Sequence, residues 1–226
     1  DTETGQAYIY VETRGDSMIS ILPGANTALT PKKIAQQKHL FMDASFCLIQ
    51  TEIPLSAVEK ACEIAQHSGV PIILKPAAIH HIPVNILEKV DFFIPNEDEL
   101  LELQPDTGTL EEKAAYFLEM GVKNVIVTLG KKGVLLKTPQ VCHYFPATEN
   151  IAVDSTGASD SFISALASYL SKGYPTEAAI QIAIQAAGFS VSKEGGIDSL
   201  VDHVTLENYL IKKEPALFAH RNTCVD

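Results

Sequence analysis

Apolar and polar positions along this chain alternate between short β-type runs and longer stretches with helical spacing. Residues 6–12 and Ser17–Leu22 are β-rich, with Arg14-Gly15-Asp16 between them as turn chemistry. That pattern predicts an N-terminal β-hairpin over residues 5–22. Thr30-Pro31 opens a short helix, Thr as cap and Pro at the first helical position. Residues 46–50, 70–74, 91–94 and 124–129 read as strands, and Val134–Lys137 follows a Gly130-Lys131-Lys132-Gly133 turn. Helical spacing covers Leu55–His67, Glu97–Leu103, 110–120, 158–170, 177–192 and 206–212. Gly69, Pro95, Gly121, Gly173 and Pro175 punctuate these elements.

Strands that alternate with helices imply βαβ units. The expected fold is α/β: a mainly parallel sheet with helices on both faces, preceded by the hairpin. The strands are mostly continuous apolar runs, as a sheet covered on both faces requires. No repeat, linker or low-complexity stretch divides the chain, so residues 1–226 read as a single domain with a polar tail at 220–226.

Composition narrows the function classes. With 226 residues and 46% hydrophobic content the chain can bury a substantial core. The formal net charge of −11 excludes a broad nucleic-acid surface, which needs clustered Lys and Arg. A small phosphorylated ligand needs only local positive potential and stays open. Cys47, Cys62, Cys142 and Cys224 are scattered, without zinc-type spacing, and fit a reducing cytoplasm. Cys47 lies in an apolar run and is expected to be buried. His80-His81 reads as a loop pair. No apolar run approaches membrane-spanning length.

The richest chemistry lies at Ala152-Val153-Asp154-Ser155-Thr156-Gly157-Ala158-Ser159-Asp160-Ser161-Phe162. It reads as a β-branched strand end, a run of small residues and a helix start. Two readings fit. One is a helix capped after a Gly turn, with Asp160 simply favourable to the dipole. The other is an anion site: first-turn N–H groups lack intrahelical partners, small residues let backbone approach a phosphate, and Asp160 is placed to take a proton from a hydroxyl. Pro95-Asn96-Glu97-Asp98-Glu99 is either an acidic capped first turn or a magnesium-holding strand end. Thr128-Leu129-Gly130-Lys131-Lys132-Gly133 is either an ordinary hairpin turn or a loop that lies against a nucleotide.

These segments resemble motifs of the ribokinase-like (phosphofructokinase-B type) carbohydrate kinases. Residues 154–160 are similar to the Asp-Thr-x-Gly-Ala-Gly-Asp signature. The resemblance implies Asp160 as catalytic base and an anion hole from Gly157, Ala158 and Ser159. Asn96 and Glu99 match the Asn-x-x-Glu element, which implies a nucleotide role for Asn96 and a magnesium role for Glu99. Thr128, Gly130 and Gly133 match the Thr-x-Gly-x-x-Gly nucleotide loop. Asp154 and Gly195 match a monovalent-cation (K+) site. Gly24-Ala25-Asn26 with Leu29-Thr30-Pro31 favours the ribokinase branch, with the hairpin as part of a lid. The implied activity is phosphorylation of a sugar or nucleoside-like hydroxymethyl group by ATP with Mg2+; the implied partners are a small-molecule sugar and the nucleotide, and a homo-oligomer is allowed for.

The sequence departs from that pattern in three places. Ser159 stands where the family usually has Gly, which is costly only if the backbone there needs positive φ. Lys75, before Pro76, stands where relatives usually carry Asn or Asp; its charge either helps an anion or displaces a metal contact. The third of the family fold that grips the sugar has no counterpart, so the chain alone is expected to phosphorylate sugars poorly. That gap supports the alternative of a truncated, non-catalytic relative that binds nucleotide or pairs with a subunit. A dinucleotide-binding fold is disfavoured, because no Gly-x-Gly-x-x-Gly follows a first strand.

Overall fold

The computed structural model describes residues 2–11, 17–77 and 79–217. The elements in chain order are β1 (Gln6–Val11), β2 (Ser17–Leu22), α1 (Pro31–Gln36), β3 (Cys47–Gln50), α2 (Leu55–His67), β4 (Ile72–Lys75), α3 (Val84–Leu87), β5 (Phe92–Phe93), α4 (Glu97–Leu103), α5 (Leu110–Glu119), β6 (Asn124–Thr128), β7 (Val134–Lys137), β8 (Cys142–Phe145), α6 (Ala158–Ser171), α7 (Thr176–Val191) and α8 (His203–Lys213). β1 and β2 form a two-stranded sheet of their own. Their expected turn at Arg14-Gly15-Asp16 lies outside the described residues.

The main sheet has six strands in the order β3-β4-β5-β6-β7-β8. β3 through β6 pair in parallel, whereas β6–β7 and β7–β8 are antiparallel. This is the α/β, mainly parallel architecture that the alternation predicts. All four residues of β4 are buried, so both faces of the sheet are covered there. On one face Ile72 and Leu74 join Val58, Cys62, Phe93, Leu100 and Phe117 in a single apolar cluster. The Phe93 and Phe117 rings lie 4.7 Å apart. Each such fully buried side chain contributes roughly 1.5–3 kcal/mol of transfer free energy.

The chain divides into two compact units: Asp1–Tyr8 with Ser20–Phe145, and Ile9–Ile19 with Pro146–Asp226. The first holds the six-stranded sheet and α1 to α5. The second holds α6, α7 and α8, and its α7 buries Ala178, Ala179, Ile180, Ile182, Ala183, Ile184 and Ala186. A helix apolar on so many sides belongs in an interior.

The structure corrects several expectations. Residues 151–153 are not a strand. Ile151 is 84% exposed, and the Val153 N–H donates to Val191 O at 2.7 Å instead of to a neighbouring strand. β-branched residues favour extended backbone, but a strand also needs a pairing edge. β8 is an addition. Three of its four residues are exposed, so it lacks the apolar signature of the others. α3 is a single turn, too short for periodicity to reveal. Cys47 is only half-buried, while Cys62 is buried. No helix among the described residues is long and apolar enough to cross a membrane.

Candidate functional site

In the first unit the carboxyl ends of β4, β5 and β6 gather side chains of three separate segments. At the end of β5 the chain turns into α4 through Asn96. Its Oδ1 accepts from the Glu99 N–H at 2.7 Å, and Glu99 Oε2 accepts from the Asn96 N–H at 2.7 Å. This reciprocal capping box satisfies two orphan donors at the helix start. Asn96 also bridges to Thr128 in parallel register, and the Thr128 N–H donates to Pro95 O at 3.0 Å. The Asn-x-x-Glu element and the Thr-x-Gly-x-x-Gly loop, which sequence could only treat separately, are therefore neighbours.

The loop itself is tight. Leu129 N–H donates to Gly133 O at 2.8 Å, and Gly130–Lys132 forms a 3-10 turn. Gly133 has φ 100° and ψ −134°, a conformation that excludes a side chain. Lys132 Nζ donates to both Glu97 carboxylate oxygens at 2.9 Å. That ion pair ties the loop to the first turn of α4. Lys131 is exposed.

Lys75, the last residue of β4, is buried. Its Nζ donates to both carboxylate oxygens of Glu99 and to Pro76 O at 3.0 Å. All three ammonium protons are thus used. Glu99 is the residue matched to magnesium. Its charge is already neutralised by Lys75, and Oε2 also holds the Asn96 N–H. A water-bound dication does not fit this carboxylate as it stands. Thr51, beyond β3, donates to Ala77 O at 2.8 Å and accepts from Ala77 N–H at 2.7 Å. It pins the turn after Lys75, a role with no signal in the sequence.

In the second unit α6 starts from Gly157, whose φ of 79° is left-handed. An added Cβ would meet Gly196 O at 3.4 Å. Ser159 lies within α6, in helical backbone, so its side chain brings no strain. Ala158 N–H turns back to Ser155 O at 3.2 Å, and Ser161 N–H makes the first helical bond, to Gly157 O at 2.9 Å. The amides of Gly157 and Ser159 precede that bond at the positive end of the helix dipole. Asp160 is in the first turn and exposed.

Asp154 links the start of this segment to a distant loop. Its Oδ1 accepts from Thr156 N–H at 2.9 Å and its Oδ2 from Gly195 N–H at 3.0 Å. Hydrogen bonds from Thr156, then from Gly195, hold its carboxyl below the ordinary value of 3.8. Asp154 and Gly195, matched to one cation site, thus meet, though through the Gly195 N–H. Beside them Ser190 and Ser199 hydroxyls are buried and 2.9 Å apart, and Ser199 Oγ donates to Gly196 O at 2.7 Å. Sequence reasoning missed both serines. The one available signal was a Ser interrupting the apolar α7. Among the described residues no group of three or more His, Cys, Asp or Glu side chains gathers as a metal site.

Residues 1–203 match the pfkB family carbohydrate kinase profile. A ribokinase of Staphylococcus aureus is 34% identical over 205 residues, which are 88% of this chain and 67% of that protein. A deoxyribokinase of Salmonella typhi is 33% identical over 218 residues, 94% of this chain and 71% of that protein. The structure of Arabidopsis thaliana ribokinase complexed with ribose and ATP superposes with a TM-score of 0.84 at 30% identity, covering 93% of this chain and 70% of that one. The chain spans about two thirds of the length of these relatives.

Proposed function

The chain belongs to the pfkB family of carbohydrate kinases, and on that premise we propose that it serves ATP-dependent phosphorylation of a sugar hydroxymethyl group. The observation that carries this reading is the start of α6: a left-handed Gly157 heading a helix whose first turn presents an exposed carboxylate, Asp160. Asp160 is the general base that takes the hydroxyl proton. Of the matched Gly157, Ala158 and Ser159, the Gly157 and Ser159 amides at the positive helix end stabilise charge on the transferred phosphoryl group, while the Ala158 N–H is taken up by Ser155 O. Asp154 and Gly195 hold the neighbouring backbone in place, and a monovalent cation such as K+ would share that carboxylate. Phosphoryl transfer depends mainly on positioning and electrostatics, which suits a site of backbone dipoles and one acid.

The loop of Thr128, Gly130 and Gly133, braced by Asn96, takes the nucleotide. Bound with ATP, magnesium would supply neutralisation of charge on the phosphates. Relatives named as ribokinase and deoxyribokinase make a pentose the first acceptor to try. The setting is a reducing cytoplasm, where the free thiols Cys47, Cys62 and Cys142 persist.

Two measurements test this. Calorimetry with ADP and Mg2+ is expected to show binding that Gly133→Val weakens. In an ADP-release assay with ATP and ribose or deoxyribose the chain alone is expected to turn over poorly, whereas a chain that also carries the sugar-gripping third of the family fold is expected to show acceptor-dependent turnover that Asp160→Asn removes. Nucleotide binding without any acceptor-dependent turnover would favour a non-catalytic, nucleotide-binding role instead.

A further inference from the structure

The Lys75–Glu99 pair sits where ligands gather in a parallel sheet, yet neither residue is left open to a ligand. β4 and β5 pair in register up to Leu74–Phe93. That register places Lys75, one residue on, beside the strand that leads through Asn96 into α4. Glu99 stands at the third position of that helix, and its side chain turns back to the capped Asn96 N–H. Lys75 meets it from the neighbouring strand. The side chains of both are largely buried, at 8% and 18% exposure. The ammonium has three acceptors, two on Glu99 and one on Pro76. The acceptor on Pro76 is held by the Thr51–Ala77 hydrogen bonds one residue further on.

A buried carboxylate needs a cation. Two cations compete for this one: a covalently attached ammonium already seated on it, or a hydrated divalent ion from solution. Magnesium gives up its waters reluctantly and binds weakly through one carboxylate. It would also have to approach a fixed positive charge. With the ammonium seated the pair is neutral, and the reason for an outer-sphere dication to stop here is gone.

Building on the kinase reading above, we propose that Lys75 is a resident cation that substitutes for a metal at Glu99, so that this protein uses divalent metal only with its nucleotide and has no separate Mg2+ site at Asn96–Glu99. Lys75 is then a positioning and specificity residue. It keeps the capping box closed and makes the site indifferent to free Mg2+. A purely structural Lys75 would affect stability when replaced but would leave metal stoichiometry unchanged.

The test is a Mn2+ titration of the protein saturated with ADP, read by electron paramagnetic resonance. Wild type is expected to bind Mn2+ only with the nucleotide, and Glu99→Gln is expected to leave that stoichiometry unchanged. Lys75→Asn is expected to gain a further Mn2+ per complex, lost again in Lys75→Asn/Glu99→Gln. Turnover at saturating nucleotide should be flat against free Mg2+ in wild type and responsive in Lys75→Asn. A wild-type Mn2+ beyond the nucleotide's own that Glu99→Gln removes overturns the proposal, and so does a folded Lys75→Asn that gains none. If Lys75→Asn does not fold, the comparison of wild type with Glu99→Gln decides alone. The same titration reads ADP binding: its absence overturns the kinase reading and this inference with it, whereas ADP binding with a Glu99-dependent extra Mn2+ overturns this inference only.

Discussion

The Asp154 carboxylate accepts the Gly195 N–H at 3.0 Å across 41 residues of sequence. This single bond, with its partner to Thr156 N–H, fixes the segment that leads into Gly157 and the first turn of α6. Its strength is pH-dependent, and the sign follows from the depressed pKa. The unfolded carboxyl titrates near 3.8, the folded one lower. The stabilisation is therefore complete above pH 3.8 and is lost as pH falls below it through the folded value. Urea midpoints of wild type and Asp154→Asn should differ at neutral pH and converge in acid. A gap that persists below that range would show the bond does not depend on the charge.

In a chain that also carries the sugar-gripping third of the family fold, Asp160→Asn should preserve ADP affinity and remove turnover. The amide keeps the shape of the first helical turn but cannot accept the substrate proton. General-base catalysis is typically worth about 10²–10⁴-fold, so kcat should fall by at least that range. Near-normal kcat in this variant would assign the base elsewhere.

Gly157→Ala should destabilise the start of α6 by about 1–2 kcal/mol, because a side chain at φ 79° is strained and its Cβ faces Gly196 O. Ser159→Gly, within the helix, has no strain to relieve and should cost only about 0.5 kcal/mol of helix propensity. Chemical denaturation of the two variants checks both. Equal tolerance at the two positions would mean that the left-handed cap is not required.

Asn96→Ala removes the acceptor for Glu99 N–H and loosens the residue that bridges to Thr128. A lost cap of this kind costs about 1 kcal/mol. Because the same residue braces the nucleotide loop, ADP affinity should fall as well. Asn96→Asp retains the acceptor and should recover most of the stability. Loss of stability with unchanged ADP affinity would separate the cap from the loop.

Burial pushes the Cys47 thiol up to about 11 and the Cys62 thiol up to about 12, from an ordinary 9.0. Both raised values favour the fold below pH 9.0, and that contribution declines as pH rises from there toward the folded values. Iodoacetamide at neutral pH should label exposed Cys142 first and reach Cys62 only on unfolding. Stability should decline above pH 9 less steeply in Cys62→Ala, once its cavity cost is subtracted. Rapid labelling of Cys62 in the folded protein would contradict its burial.

Local rules carried much of this protein. The Glu97–Leu103 helix follows from an Asn cap, a run of acids in the first turn and apolar spacing, all of which lie within a few residues of one another. The parallel part of the sheet follows from continuous apolar runs between helices. Gly157 and Asp160 were legible for the same reason: a helix start is a local event, and its dipole and orphan amides come with it. What tertiary structure decided was every relation between distant residues. Sequence allowed Lys75 two opposite effects on a bound ligand; only the pairing of β4 with β5 brings its ammonium onto Glu99. Sequence read Ala152-Val153 as a strand end from β-branching; whether an extended segment becomes a strand depends on an edge to pair with, and here the Val153 N–H finds Val191 O instead. Ser159 raised a doubt that only backbone conformation could remove, by placing it inside α6. Ser190 showed only as a polar break in the apolar α7 and Ser199 not at all, since two hydroxyls form a buried polar pair only once folding has brought them 2.9 Å apart. Caps, periods and turns are written in neighbouring residues, whereas charge pairing and burial depend on which surfaces the chain brings together.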